Sequence, residues 1–441
     1  MKFLITFILI TFLYNCSFDN KTGIWKNENS VEENENEIFD GFKTLSTASD
    51  SFDKVITIVP DLKFSLYKPV TINKWTDIFF SPSNNSDNFS YNQQNTQIFK
   101  SKKLTKHKIN NHILSIDDNI ITSDEKGNLI IFSIQNNKIL NKYNFYKKRF
   151  KKFKKYLNLY VENNIVYVSD NIGYLYAYDF YKNKIIWAKN YKIPFRGNLK
   201  IFENKLIATN QNNSLFIFDK SDGNILRTIP TEETIVKNKF KNNLAINDKT
   251  LFLVNTFGSI YSVNLVNLRI NWFVNLNETT NLNNSNLFYG SPILLFKNKI
   301  IISSNKFTYL IDSKTGSIIY KINFSSQVRP IVLNDYLFLI TKKDLLVTMN
   351  ISNSNLIFSS DINQNISDFL NQKKYKIEVK SLNIVNNKIF IFLKNSYYLK
   401  YNLDGTLEEI KKFPSKINSQ PIFIKNSIFF IDRKNKLSII D

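Results

Sequence analysis

The sequence predicts an all-β fold, an eight-bladed β-propeller of four-stranded antiparallel blades closed by a strand from the N-terminal region. Three observations predict it. A strand-and-turn unit recurs about every 44 residues from about residue 109 onward; each unit holds four short apolar strands separated by Asn, Asp or Gly turns; and the last unit is one strand short.

The elements follow in order. The first unit begins near Ile113. The second reads Leu159-Tyr160-Val161, Ile165-Val166-Tyr167-Val168, Gly173-Tyr174-Leu175-Tyr176-Ala177-Tyr178-Asp179 and Ile185-Ile186-Trp187. Further units run 199–228, 244–273 and 292–322, and others begin near Pro330, Leu382 and Pro421. The final unit, 421–441, supplies three strands, which would leave a sheet edge with unpaired backbone groups. A strand within 66–80 or within 98–104 can fill that place and seal the ring between the two ends of the chain. Few segments show a 3.6-residue apolar stripe, so helix is expected to be scarce.

Before the repeats, Met1-Lys2 leads into an apolar run over residues 3–13 that is too short to span a bilayer and reads as a secretory signal. The organisation expected is a signal peptide at 1–15, a lipidated N-terminus and flexible tether at 16–61, and the propeller at 62–441. The tether is polar, with Glu28, Glu32, Glu33, Glu35 and Glu37, and a second polar stretch at 81–97, rich in Asn, Ser and Gln, reads as a long loop.

Composition bounds the chemistry. The 441 residues carry 59 Lys+Arg against 37 Asp+Glu, a net charge of +22, with 43% apolar residues, 22 Tyr and 38 Phe, ample for a large core. A single Cys excludes a disulfide framework and a Cys-rich metal site. Two His, His107 and His112, stand near Asp117 and Asp118 without a second set of ligand-type residues, and 10 Gly are few for a phosphate-cradling loop enzyme. No catalytic, metal or cofactor residue is therefore assigned. Lys, Asn and Ile dominate strands and loops alike, so the positive charge reads as a bias of the whole chain and nucleic acid is not expected as a partner. The densest basic run, Lys147-Lys148-Arg149-Phe150-Lys151-Lys152-Phe153-Lys154-Lys155, reads as a solvated loop between two repeats, with a grip on phosphate or anionic lipid as the alternative.

The run Ala177-Tyr178-Asp179-Phe180-Tyr181-Lys182-Asn183-Lys184-Ile185-Ile186-Trp187 resembles the tryptophan-docking motif of PQQ-type propellers. The spacing recurs at Asp219, Gly223 and Arg227; at Asn264, Arg269 and Trp272; at Asp312, Thr315, Gly316 and Tyr320; and at Asn350 and Phe358. Asp or Asn would cap the turn between the outer strands, Gly or Asn would take the left-handed conformation, and the aromatic would pack between blades. Leu13-Tyr14-Asn15-Cys16 resembles a bacterial lipobox with Asn15 in place of a small residue, and makes Cys16 the expected lipid attachment site.

Signal, lipobox-like Cys16, polar tether and eight blades together resemble the BamB family, lipoproteins of the outer-membrane β-barrel assembly machinery. That resemblance implies a non-catalytic scaffold without cofactor, lipid-anchored at the periplasmic face of the outer membrane. Its partners would be the POTRA domains of the barrel-inserting protein and unfolded outer-membrane protein clients. Pro194-Phe195-Arg196-Gly197 resembles the turn that contributes to docking in that family, which makes Phe195 and Arg196 the partner-binding candidates, with the aromatic expected to be exposed. Where some members carry acidic residues leading into the next blade, Lys239-Phe240-Lys241-Asn242 is basic. Two other readings share the repeat. One is a PQQ- and Ca²⁺-dependent quinoprotein dehydrogenase, which would need axial carboxylates and commonly a vicinal disulfide that one Cys cannot form. The other is a periplasmic cell-wall or carbohydrate-binding propeller.

Overall fold

The structure is a computed structural model and describes residues 16–18, 25–27, 55–56, 66–146, 150–234, 243–277, 288, 290–371 and 376–441. The chain divides into two compact units, Met1–Thr47 and Ala48–Asp441. In the first, the described residues are an antiparallel pair, Cys16–Phe18 with Trp25–Asn27. The expected signal peptide, most of the tether, Lys147 to Arg149 and Lys239 to Asn242 lie outside the described residues.

Among its described residues the second unit holds eight sheets, each built on four antiparallel strands. Blades 1 to 7 span 114–144, 157–190, 200–229, 243–275, 294–322, 331–361 and 379–412. Blade 8 takes three strands from 422–440 and its outermost strand, Gln97–Lys103, from the N-terminal side. Of the two expected closing segments, 98–104 is therefore the one used. Phe99 faces Ile439 and Gln97 faces Ile440 across the seam.

Burial explains the apolar pattern. The inner strands of each blade lie between neighbouring sheets and are covered on both faces, as in Asn119–Ser123 and Ser427–Ile431, so they read as nearly unbroken apolar runs. The outermost strands meet solvent on one side and alternate, as in Arg269–Asn275. The expected turn chemistry is present. Asp179 Oδ1 accepts from the amides of Tyr181 and Lys182, Asp312 Oδ1 from Lys314 and Thr315, and Asn264 Oδ1 from Val266 and Asn267. Asn183, Gly223 and Gly316 take positive φ in these turns, and so do Leu268 and Ser354. Just before each turn the third and fourth strands slip register, a bulge that tightens the twist of the blade.

The aromatic of one blade docks on the turn of the next. Trp187 Nε1 donates to Lys220 O at 3.0 Å and Trp272 Nε1 to Ser313 O at 3.2 Å. A Cβ on Gly223 would stand 2.7 Å from Trp187, one on Gly316 2.6 Å from Trp272, and one on Gly405 2.6 Å from Phe358. Glycine thus meets two demands at once, a left-handed backbone and room for the ring. One α-helix is present among the described residues, Ile362–Leu370, capped by Asp361 accepting from the Gln364 amide. It follows directly on the outermost strand of blade 6 and is too short for a stripe to reveal.

Candidate functional site

The first strand of each blade turns one edge toward the centre of the ring, and those edges carry free backbone groups. One segment, residues 72–92, satisfies them in a single circuit. Ile72 O accepts from the Lys425 amide beside blade 8, and Trp75 exchanges both backbone hydrogen bonds with Ser115 of blade 1. Thr76 O accepts from Val161 of blade 2, Pro82 O from Ile246 of blade 4 and Ser83 O from Leu295 of blade 5. Asn85 pairs through its side-chain amide with both backbone groups of Val332 in blade 6. Asn88–Phe89 adds a parallel strand to blade 7, and the Asn92 amide donates to Asn426 O to return the chain to blade 8. A segment that meets the inward edge of successive blades in ring order lies on the axis. The polar stretch expected as a long loop is thus an axial plug. Its Asn and Ser side chains offer a donor and an acceptor to edges whose spacing no regular strand could match.

Blade 3 is joined to the plug by a buried ion pair. Lys200 Nζ lies 2.5 Å from Asp77 Oδ2 with the two side chains 1% and 2% exposed, and it also donates to Ser81 O at 3.0 Å. Burial holds the Lys200 ammonium below the ordinary lysine value, against the pull of Asp77. Arg329 Nη1 donates to Phe79 O at 2.8 Å and to Asn84 O, and its guanidinium lies over the Phe79 ring. Desolvation pushes Arg329 down to about 10, with Asp77 opposing. Trp75, Phe80 and Phe89 pack together with centroids 4.8 to 5.4 Å apart, and Phe89 stacks on Phe423 of blade 8.

These residues do not fit a quinone–Ca²⁺ site. Of the two carboxylates in the plug, Asp77 is committed to Lys200 and Asp87 accepts from the Asn88 amide, and among the described residues no group of three His, Cys, Asp or Glu converges to hold a metal ion. His107 and His112 take no part in such a group. The arrangement ties the blades together and rigidifies the ring.

The proposed docking turn corrects one expectation. Phe195 is 2% exposed, and its ring packs against Tyr191 and Phe218. Its amide donates to Asp170 O, and the residue bridges to Asn210. Ile109, Ser326 and Ile417 make the equivalent bridges, to Asp124, Thr341 and Asp432, at the same separation along the chain. Phe195 therefore occupies a structural position of the repeat, a signal that aligning the units would have supplied. Arg196 is half-buried, its amide donating to Thr209 O and its carbonyl accepting from Thr209 Oγ1. Partial desolvation lowers its guanidinium from the ordinary arginine value. For Cys16 the backbone places it in the short strand Cys16–Phe18. No helix among the described residues is long and apolar enough to cross a membrane.

The chain is similar to known proteins in family and in fold. Residues 151–360 match the family described as outer membrane protein assembly factor BamB. No curated protein sequence matches the chain. Among solved structures, BamB from Moraxella catarrhalis aligns with a TM-score of 0.60 at 13% identity over 78% of this chain and 99% of that one. The quinohemoprotein alcohol dehydrogenase from Comamonas testosteroni aligns at 0.62 and 9% identity over 90% of this chain and 84% of that one. A computationally designed protein, Ika8, aligns at 0.58 and 10% identity over 78% and 99%. At these identities the likeness carries the fold and no more. Family match over 151–360, tryptophan-docking motif and eight-bladed ring together show a β-propeller of PQQ-type repeats that is similar to BamB.

Proposed function

We propose that the chain is a non-catalytic scaffold of the outer-membrane β-barrel assembly machinery. It would dock on POTRA domains of the barrel-inserting protein and assist insertion of outer-membrane proteins, held at the periplasmic face of the outer membrane by lipid on Cys16. One observation carries the reading: the axis, where a propeller of this repeat type would hold a quinone, is filled by the chain's own residues 72–92 hydrogen-bonded around the ring. What remains for function is the outer surface. The match to the assembly factor over 151–360 supports the class of partner. An open outer edge also supports strand addition, since Ile56 already exchanges backbone hydrogen bonds with Ser359 on the outermost strand of blade 6.

With Phe195 in the core, the docking contact falls on Arg196. The test is a pull-down with the full chain from detergent-solubilised outer membrane. A POTRA-containing barrel protein is expected, and is expected to be lost on Arg196→Glu. Capture of unrelated proteins only, together with dye reduction after loading with pyrroloquinoline quinone and Ca²⁺, would replace the scaffold with the dehydrogenase. Saccharide-dependent thermal stabilisation would favour the cell-wall binder. Cys16→Ala is expected to move the protein from the membrane to the soluble periplasmic fraction.

A further inference from the structure

Apart from the axis and the docking turn, the side of the propeller near blades 1 and 2 holds a cavity of about 490 Å³ lined by Lys106, His107, Lys126, Asn128, Asn144, Tyr146, Lys151 and Lys155. No carboxylate lines it. The acids next to it are occupied elsewhere. Asp124 accepts from Thr105 Oγ1, from Asn128 Nδ2 and from the amides of Lys126 and Asn128. Asp170 accepts from Tyr146 Oη and from the amides of Ile172, Gly173 and Tyr174. Glu125 lies 3.9 Å from Lys154. Among the described residues no carboxylate pairs with Lys106, Lys126 or Lys151, so the wall keeps its positive charge. Lys155 anchors the floor, 1% exposed, donating to Phe150 O and lying 5.1 Å over the Tyr146 ring. Burial first and Lys126 second hold its ammonium below the ordinary lysine value, a crowding of positive charge that a bound anion relieves.

Two exposed aromatics neighbour the lining residues along the chain. Phe153, between the lining residues Lys151 and Lys155, is 63% exposed, and Tyr156 is 59% exposed. Basic groups around a pocket with exposed rings at its side match a membrane interface, where phosphates meet the cations and rings enter the headgroup layer. We propose that this cavity binds the phosphate of an anionic phospholipid headgroup, with Lys106, Lys126 and Lys151 as its charged wall and Phe153 and Tyr156 entering the interface beside it. The site sets the propeller's orientation on the membrane and does not depend on which protein docks at Arg196.

The test is vesicle co-sedimentation of the full chain carrying Cys16→Ala, so that an acyl anchor does not dominate. Phosphatidylcholine vesicles are compared with vesicles in which one third of the lipid is phosphatidylglycerol. Each cation near such a surface strengthens binding about fivefold. Wild type is expected to prefer the anionic vesicles, and Lys106→Gln/Lys126→Gln/Lys151→Gln to lose about a hundredfold in that affinity with an unchanged melting temperature. Raised salt is expected to weaken wild type more steeply than the triple variant, which keeps the charge spread over the rest of the chain. Phe153→Ala is expected to weaken binding without changing its salt dependence. Equal binding of wild type to both vesicles, or retention of the preference by the triple variant, overturns the proposal. If inorganic phosphate raises the melting temperature of wild type alone while the vesicles show no preference, the site binds free phosphate and the lipid assignment fails.

Discussion

Replacing Gly316 by Ala tests the joint between blades at its tightest point. The residue sits at φ 77, where a Cβ costs about 1–2 kcal/mol. That Cβ would also stand 2.6 Å from Trp272 Cε3, against 3.4 Å for ordinary contact, so the ring must withdraw by about 0.8 Å. Withdrawal strains the Trp272 Nε1–Ser313 O hydrogen bond of 3.2 Å, worth about 1 kcal/mol, and loosens packing worth about another 1 kcal/mol. The sum is about 3–4 kcal/mol. For roughly 390 residues in the Ala48–Asp441 unit, this lowers the melting temperature by about 4–5 °C. A double-mutant cycle separates backbone from contact. Trp272→Arg copies the repeat's own alternative, in which Arg227 stands at the Trp position of blade 3 and Leu268, at φ 58, at the Gly position of blade 4. With the ring gone, Gly316→Ala should cost only its backbone share, giving a coupling of about 2 kcal/mol in urea denaturation. If the two single changes add to within about 0.5 kcal/mol, glycine is not there to admit the ring and the reasoning fails.

Two further outcomes follow from the axis and its rim. Asp77→Asn leaves the Lys200 ammonium buried without its counter-charge and should cost about 3–5 kcal/mol, much of it restored by adding Lys200→Met; a urea midpoint that barely moves would show that the pair is not buried as described. Lys380 is pushed down to about 8 by burial, then by Lys394 and Arg433, from 10.5. A cation with a depressed folded value makes the unfolded chain bind more protons between those two values, so stability should rise as pH goes from about 8 to 10.5. The rise should be missing in Lys380→Met, and identical urea midpoint profiles for the two proteins across that window would dismiss the assignment.

What was legible in the sequence is what repetition imposes. Strands such as Ile165–Asp170 and Lys299–Ser303 are apolar because they are sandwiched, and Asp179, Asn264 and Asp312 recur because each turn needs the same amide acceptor. The missing strand of blade 8 followed from counting, although two segments met the requirement and only pairing with Lys436 to Ile440 decides between them. The plug escaped because it occurs once. Asn84, Asn85 and Asn88 serve backbone groups of four blades, yet Asn and Ser at that density carry the composition of a surface loop. Phe195 escaped for the opposite reason: beside Arg196 it looks like an interface aromatic, whereas its bridge to Asn210 turns the ring into the core between blades 2 and 3.

Plug and seam come from one stretch of chain, and this bears on what the ring can do. Residues 72–92 meet the inner edges of the blades, and Gln97–Lys103, a few residues later, completes the outer edge of blade 8. Neither can be completed until the last blade exists, since Asn92 must find Asn426 and Lys103 must find Lys436. Contacts at such separation make folding slow and the finished ring cooperative, because opening the seam also pulls on the plug. The plug occupies the axis itself. A protein that must hold several exposed turns in fixed relation gains directly. The turn bearing Arg196 leads into blade 3, whose first strand is tied through Lys200 to Asp77 on the axis, so a load on that turn is shared by the whole ring.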